Sequence, residues 1–231
     1  MSKPADKLQA TLEAQIGKGN IYNIVAAVQS HDRRVDFSGA AGVANPESGA
    51  AMTPDTPYFI ASITKMYTAA VILRLHEQGR VDLEAPISSY LPDEIVGGIH
   101  VYKGVDYSPQ IKVYQLVNQS SGLADYEADK PPGGKSVLDE LKAGGDRYID
   151  TAEAVEITRR LSPHFPPGTP GKAYYSNTNY RLLGAIIEAV TGDMLAVNFQ
   201  ELLFTPLGLE HTYLFDWTAP RSNDPPAAIY M

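Results

Sequence analysis

The chain has 231 residues, 44% of them hydrophobic and 20% charged, which excludes disordered, collagen-like and coiled-coil classes and leaves room for one large domain or two small ones. A formal charge of −8 and a pI near 5.1 argue against binding a phosphate backbone, so no nucleic-acid partner is expected. Cysteine is absent, which removes disulfides, thiolate zinc sites and a cysteine nucleophile from consideration.

In chain order, Leu8, Leu12 and Ile16 recur at helical spacing and predict a helix over residues 5–16, stopped by Gly17-Lys18-Gly19. The stretch before Leu8 lacks an apolar core, so no signal peptide is expected, and no apolar run approaches the ~20 residues of a membrane span. A cytoplasmic location is therefore the expectation for the chain as written, with a periplasmic or secreted one left open. Residues 21–29 and 34–43 read as strands joined by a turn at 30–33. After a loop at 45–54, the short apolar run Tyr58-Phe59-Ile60-Ala61 leads into Ser62.

From Ser62 to Gln78 the pattern becomes helical, with Met66, Ala69, Ala70 and Leu73 on one stripe and Gly79 at the stop. Residues 82–92 read as short turns, 112–120 as a short helix, and 129–134 and 162–169 as Pro/Gly-rich connections. Residues 151–161 form an amphipathic helix with Thr151 as its cap. Tyr180, Leu183, Ile187 and Val190 predict a stronger helix over 178–191 ended by Gly192, and 198–203 is also expected to be helical. These elements divide into a β-containing part over residues 1–80, carrying the helix after Ser62, and a mostly helical part over residues 81–231. Two hairpin strands and one short run make a poor sheet on their own, so the β part lacks strands.

The chemistry begins at Ser62-Ile63-Thr64-Lys65. Residues three apart share a helix face, so the lysine nitrogen and the serine hydroxyl meet there. A helix N-terminus adds partial positive charge and free N–H groups beside a developing oxyanion. S-x-x-K arises by chance about once in a chain of this size, and a serine at a helix start is usually a cap. Tyr175-Ser176-Asn177, between Phe165-Pro166-Pro167-Gly168 and the helix of residues 178–191, supplies a second signal. A phenol at such a junction acts as acid or base, and an amide beside it holds a carbonyl or the lysine. By itself the tripeptide reads equally as Asn177 or Asn179 capping the helix while Tyr175 packs.

Together the two motifs resemble the serine β-lactamase and penicillin-binding protein superfamily, in the branch of class C β-lactamases, D-Ala-D-Ala carboxypeptidases, D-aminopeptidases and β-lactamase-like esterases that pairs S-x-x-K with Y-x-N. The resemblance covers nearly the whole chain. It includes residues 56–65, residues 75–92, Leu116-Val117-Asn118-Gln119-Ser120-Ser121-Gly122-Leu123, in which Gln119 replaces the histidine of the usual His-x-Ser-Gly-Leu, and Pro206-Leu207-Gly208-Leu209. It implies a β-lactamase/transpeptidase-like α/β fold, an antiparallel sheet flanked by helices with an all-helical region. It further implies catalysis by Ser62 as nucleophile, Lys65 as proton acceptor and Tyr175 as relay, with substrate held by Asn177, Gln119 and Ser121 and no cofactor or metal. The expected substrate is a small molecule or peptide: a β-lactam, a D-amino-acid peptide or amide, or an ester.

The family's second oxyanion donor comes from a late strand with a Lys/His-x-Gly triad, and no such strand is recognisable here. His211-Thr212-Tyr213 has the wrong last residue, and relatives run on beyond this point. The C-terminal strands are thus expected to be missing, which brings in a complementing C-terminal segment or a homo-oligomer as partners. A catalytically silent binding protein, or a fragment needing its C-terminal part, is the alternative reading. Gly133-Gly134-Lys135-Ser136 has Asp129 where a phosphate loop needs its first glycine. His31, His76, His100, His164 and His211 show no metal-ligand spacing.

Overall fold

The computed structural model describes residues 4–32, 34–144, 147–214 and 226–227. The chain divides into two units, Met1–Ala61 with Ser222–Met231, and Ser62–Arg221. The sequence draws the division at 80/81. The structure draws it at 61/62, because the helix after Ser62 buries Val71, Ile72 and Leu75 in the same core as the later helices.

In the first unit, helix α1 (Pro4–Glu13) is followed by strands β1 (Asn23–Gln29), β2 (Asp36–Asn45) and β3 (Ala50–Ala51), in an antiparallel sheet of order β1-β2-β3. The β1–β2 register runs from Asn23 opposite Gly42 to Gln29 opposite Asp36. At the hairpin, of which Arg33 lies outside the described residues, Ser30 Oγ donates to Asp32 at 2.8 Å and Ser30 N to the Val35 carbonyl at 2.9 Å. Leu12 of α1 packs on Phe37 and Ala41 of β2, so the predicted spacing holds although α1 ends at Glu13 and residues 14–17 continue as a turn. The third strand is not the run before Ser62. It is Ala50–Ala51, inside the expected loop, where Asn45 Oδ1 accepts from Glu47 N and Ser48 N and turns the chain back onto β2.

In the second unit a 3₁₀ turn (Ala61–Ile63) opens into α2 (Thr64–Glu77), with Gly79 at φ +70° past its end. The buried face of α2 is Thr68, Val71, Ile72 and Leu75, offset from the predicted stripe; Met66 and Leu73 are exposed. Next come α3 (Asp93–Val96), a two-residue hairpin of β4 (Val101–Tyr102) and β5 (Val105–Asp106), α4 (Val113–Val117) and α5 (Val137–Gly144). Helix α6 (Thr151–Arg159) is capped by Asp150, not Thr151: the Asp150 carboxylate accepts from Glu153 N at 2.8 Å. Helix α7 (Asn177–Thr191) ends on Gly192 at φ +81°, and α8 (Leu195–Phe199) passes through one π-turn (Gln200–Phe204) into α9 (Thr205–Leu207).

The core of this unit joins α2 to Leu116 of α4, Leu182, Leu183, Ile186 and Ile187 of α7, and Phe199 of α8. Tyr67 of α2 meets Phe204 edge-to-face at 5.3 Å. Packing α2 on α7 brings the starts of the two helices together, and the polar side chains at those starts meet. Among the described residues no single helix is long and apolar enough to cross a membrane.

Gly122 shapes the loop after α4. Its φ is +74°, and an added Cβ would lie 2.0 Å from the Phe165 carbonyl oxygen. The same loop accepts His164 N on the Gly122 carbonyl at 2.9 Å. Gly122→Ala is expected to destabilise the protein by about 2–4 kcal/mol through left-handed strain and backbone displacement, read as a lower urea midpoint at unchanged slope.

Candidate active site

The serine-bearing turn is strained at its entry: Ala61, immediately before Ser62, has φ +45°, a region that costs a non-glycine residue about 1–2 kcal/mol. Ser62 is exposed at the start of α2, and Lys65 is one turn on. Lys65 Nζ donates to Ser62 Oγ at 3.1 Å and to Asn177 Oδ1 at 2.6 Å. From the other side Tyr175 OH reaches Ser62 Oγ at 2.6 Å. The Tyr175 ring also lies under the lysine, with Nζ 4.9 Å from its centroid. Of the six residues singled out by sequence, Lys65 and Tyr175 thus meet the Ser62 hydroxyl directly, and Asn177 joins them through Lys65.

The other two are turned inward. Gln119 sits at φ +63°, and its Oε1 accepts from Ser176 N at 3.0 Å and from Asn179 Nδ2. Its own carbonyl accepts from Tyr174 N at 2.9 Å. Ser121 is fully buried, donates to Asn179 Oδ1 at 2.6 Å and accepts from Leu123 N at 3.1 Å. The Ser121 hydroxyl, expected to touch substrate, is engaged instead with Asn179 and Leu123 N. Gln119 is likewise occupied in holding the Tyr175-Ser176-Asn177 segment.

The segment is pinned from below as well. Ser176 Oγ and Thr178 Oγ1 both donate to the Ala124 carbonyl, at 2.9 and 2.7 Å. Ser176 flanks α7 without capping it, and neither Asn177 nor Asn179 acts as a cap. Asn177 uses its side chain on Lys65 and, through Nδ2, on Asp125 Oδ2 at 3.2 Å.

Sequence reasoning passed over the acids of this loop. Burial raises the pKa of Asp125. Burial and the neighbouring Asp125 raise that of Glu127, against the opposing pull of Lys65 and Arg181. Asp129 binds His164 Nε2 at 2.8 Å and Tyr174 OH at 2.5 Å, and His164 stacks on the Tyr174 ring. Burial would raise Asp129, but the bonds from Tyr174 and His164 outweigh it and hold its pKa below the usual value. Tyr174 is pushed up to about 12, by burial first and then by Asp129. The alternation Asp125, Glu127, Asp129 was visible in the sequence; their partners, 35 to 52 residues away, were not.

His100 is also buried, with Nε2 2.9 Å from the Phe165 carbonyl, and burial lowers its pKa. Lys142-Ala143-Gly144 has the letters of a Lys-x-Gly triad but lies on helix α5. His211-Thr212-Tyr213 lies in turn and irregular backbone, not in a strand.

The fold is of the β-lactamase/transpeptidase class. The chain belongs to the Beta-lactamase family, whose model matches residues 8–228. Among its relatives is Esterase EstB of Burkholderia gladioli, 28% identical over 208 residues, covering 89% of this chain and 50% of that protein. A D-stereospecific amidohydrolase from Streptomyces superposes with a TM-score of 0.68 at 30% identity, covering 90% of this chain and 55% of the other. The octameric penicillin-binding protein homologue from Pyrococcus abyssi superposes at 0.73 with 27% identity, over 92% and 45%. The chain thus spans about half the length of the relatives it matches.

A carboxylate with a depressed folded-state pKa contributes stability that is present above its unfolded value of ~4 and lost as pH falls through the lower folded one. Asp129→Asn is accordingly expected to lower unfolding stability at pH 7 by about 1–2 kcal/mol. In urea melts taken from pH 7 to 3, the gap to the unaltered chain should narrow below about pH 4.

Proposed function

We propose that the chain carries the nucleophile half of a serine hydrolase that forms an acyl-enzyme on Ser62 with a D-amino-acid amide or peptide, a β-lactam or an ester. The observation that carries this reading is the convergence of Lys65 Nζ and Tyr175 OH on one Ser62 Oγ, at 3.1 and 2.6 Å. Lys65 takes the hydroxyl proton while Oγ bonds to the carbonyl carbon. The tetrahedral intermediate then collapses, and the C–N or C–O bond breaks as Tyr175 protonates the leaving group. Lys65 returns its proton to the phenol, and water releases the acyl group by the reverse relay. The Ser62 backbone N–H, at the start of α2, is one oxyanion donor. Removing one such donor typically costs about 10²–10³ in rate.

Relatives named as an esterase and as a D-stereospecific amidohydrolase support this substrate class. A second reading, also open from the sequence, is a chain that binds an acyl donor without turning it over.

After exposure to a fluorophosphonate or a β-lactam, intact-mass analysis is expected to find one covalent adduct, mapped to Ser62 and absent from Ser62→Ala. Hydrolysis of p-nitrophenyl butyrate or a D-amino-acid p-nitroanilide unchanged in Ser62→Ala would overturn the mechanism. Adduct without turnover would select the second reading. Tyr175→Phe is expected to lower the acylation rate about 10²–10⁴-fold while leaving Ser62 the labelled residue.

A further inference from the structure

Asn177 can serve Lys65 only if its amide points the right way, because an amide offers an acceptor at one end and two donors at the other. Its Oδ1 lies 2.6 Å from Lys65 Nζ, and its Nδ2 lies 3.2 Å from Asp125 Oδ2. Asp125 is 2% exposed. Its other oxygen accepts from Glu127 N at 3.0 Å, and its backbone N donates to Asp129 Oδ2 at 2.8 Å, so the carboxylate is fixed from both sides. Asp129 is in turn held by Tyr174 and His164.

From this chain of contacts we infer that Asp125 is a positioning residue for the acyl-transfer site, holding the Asn177 amide so that its carbonyl, and not its NH₂ group, faces Lys65. The inference rests on the proposed roles of Ser62 and Lys65. An ionised carboxylate only accepts, so it selects Nδ2. The flipped amide would set NH₂ against the lysine nitrogen and oxygen against oxygen at Asp125, and both contacts would be lost. In a largely buried position such a mismatch is not repaired by water. Asp125 touches neither substrate nor Ser62; it acts through Asn177.

Exchanging the two groups tests this directly. Asp125→Asn leaves an amide facing an amide, either of which can flip, and Asn177→Asp sets carboxylate against carboxylate. Each is expected to slow fluorophosphonate labelling of Ser62, in which Oγ bonds to phosphorus and fluoride leaves, about tenfold, the size of one net hydrogen bond. The double exchange, D125N/N177D, restores a donor facing a carboxylate and keeps net charge and volume, although it moves the negative charge beside Lys65. Its rate should therefore be read against Asn177→Asp, which carries the same charge at Lys65, and should exceed that single variant by about tenfold. A double variant about a hundredfold slower, the sum of independent losses, would overturn the inference.

An activity-independent measurement separates this outcome from failure of the functional reading. Hydrogen exchange of the Asn177 side-chain NH₂, followed by ¹⁵N NMR, is expected to accelerate about tenfold or more in Asp125→Asn. If the unaltered chain is not labelled at Ser62, the functional reading fails and the amide exchange still decides the positioning. Equal exchange rates in the two proteins would overturn it. Should Asp125→Asn not fold, recovery by the double exchange over Asn177→Asp alone carries the test, and no recovery is the overturning result.

Discussion

The hydrogen bond between Lys65 Nζ and Asn177 Oδ1 is the joint on which the site depends. It ties the first turn of α2 to the first residue of α7, across 112 residues of sequence. Ser62 and Tyr175 face each other because those two helix starts are side by side. The apolar contact of Val71, Ile72 and Leu75 with Leu182, Leu183, Ile186 and Ile187 supplies the force that brings the helices together. The polar joint adds little to that attraction and a great deal to its register, since a helix that slid or rotated by one residue would part the lysine from its acceptor.

Beneath the joint lies a layer of buried polar groups that are satisfied by one another. Ser121 meets Asn179, Asn179 meets Gln119, Ser176 and Thr178 meet the Ala124 carbonyl, and Asp125 meets Asn177. A fully satisfied network inside a protein is rigid because each bond would cost its full desolvation penalty to leave unmade. The loop from Gln119 to Asp129 is thus held as firmly as a regular element although it contains almost none. The exposed side chains of Ser62 and Tyr175 stand on that footing.

Much of this was legible in the sequence, for particular reasons. Ser62 and Lys65 are close in sequence and share a helix face, so spacing alone pairs them; Gly79 and Gly192 mark helix ends through their backbone freedom. The buried face of α2 was harder to read, because apolar residues lie on both sides of the helix and only tertiary packing selects Val71 and Leu75 over Met66 and Leu73. Asp150 outcompeted Thr151 as a cap by one position, within the usual uncertainty of helix ends. The strands β4 and β5, two residues each, are too short to show a period. Gln119 and Ser121 are expected to hold substrate because their motif resembles a cleft loop. Their inward direction is set by the positive φ of Gln119 and by partners about sixty residues away, which no local pattern reports.

The presence of glutamine at position 119 also bears on how the site responds to its surroundings. Where the sequence resembles His-x-Ser-Gly-Leu, an imidazole would change its charge and its donor–acceptor pattern between about pH 5 and 8. A carboxamide does not titrate. Its oxygen offers the same acceptor to Ser176 N and Asn179 Nδ2 in acid as in mild base. At this contact the scaffold is indifferent to protons, so acidity acts on it through Asp125, Asp129 and His164 and not through residue 119.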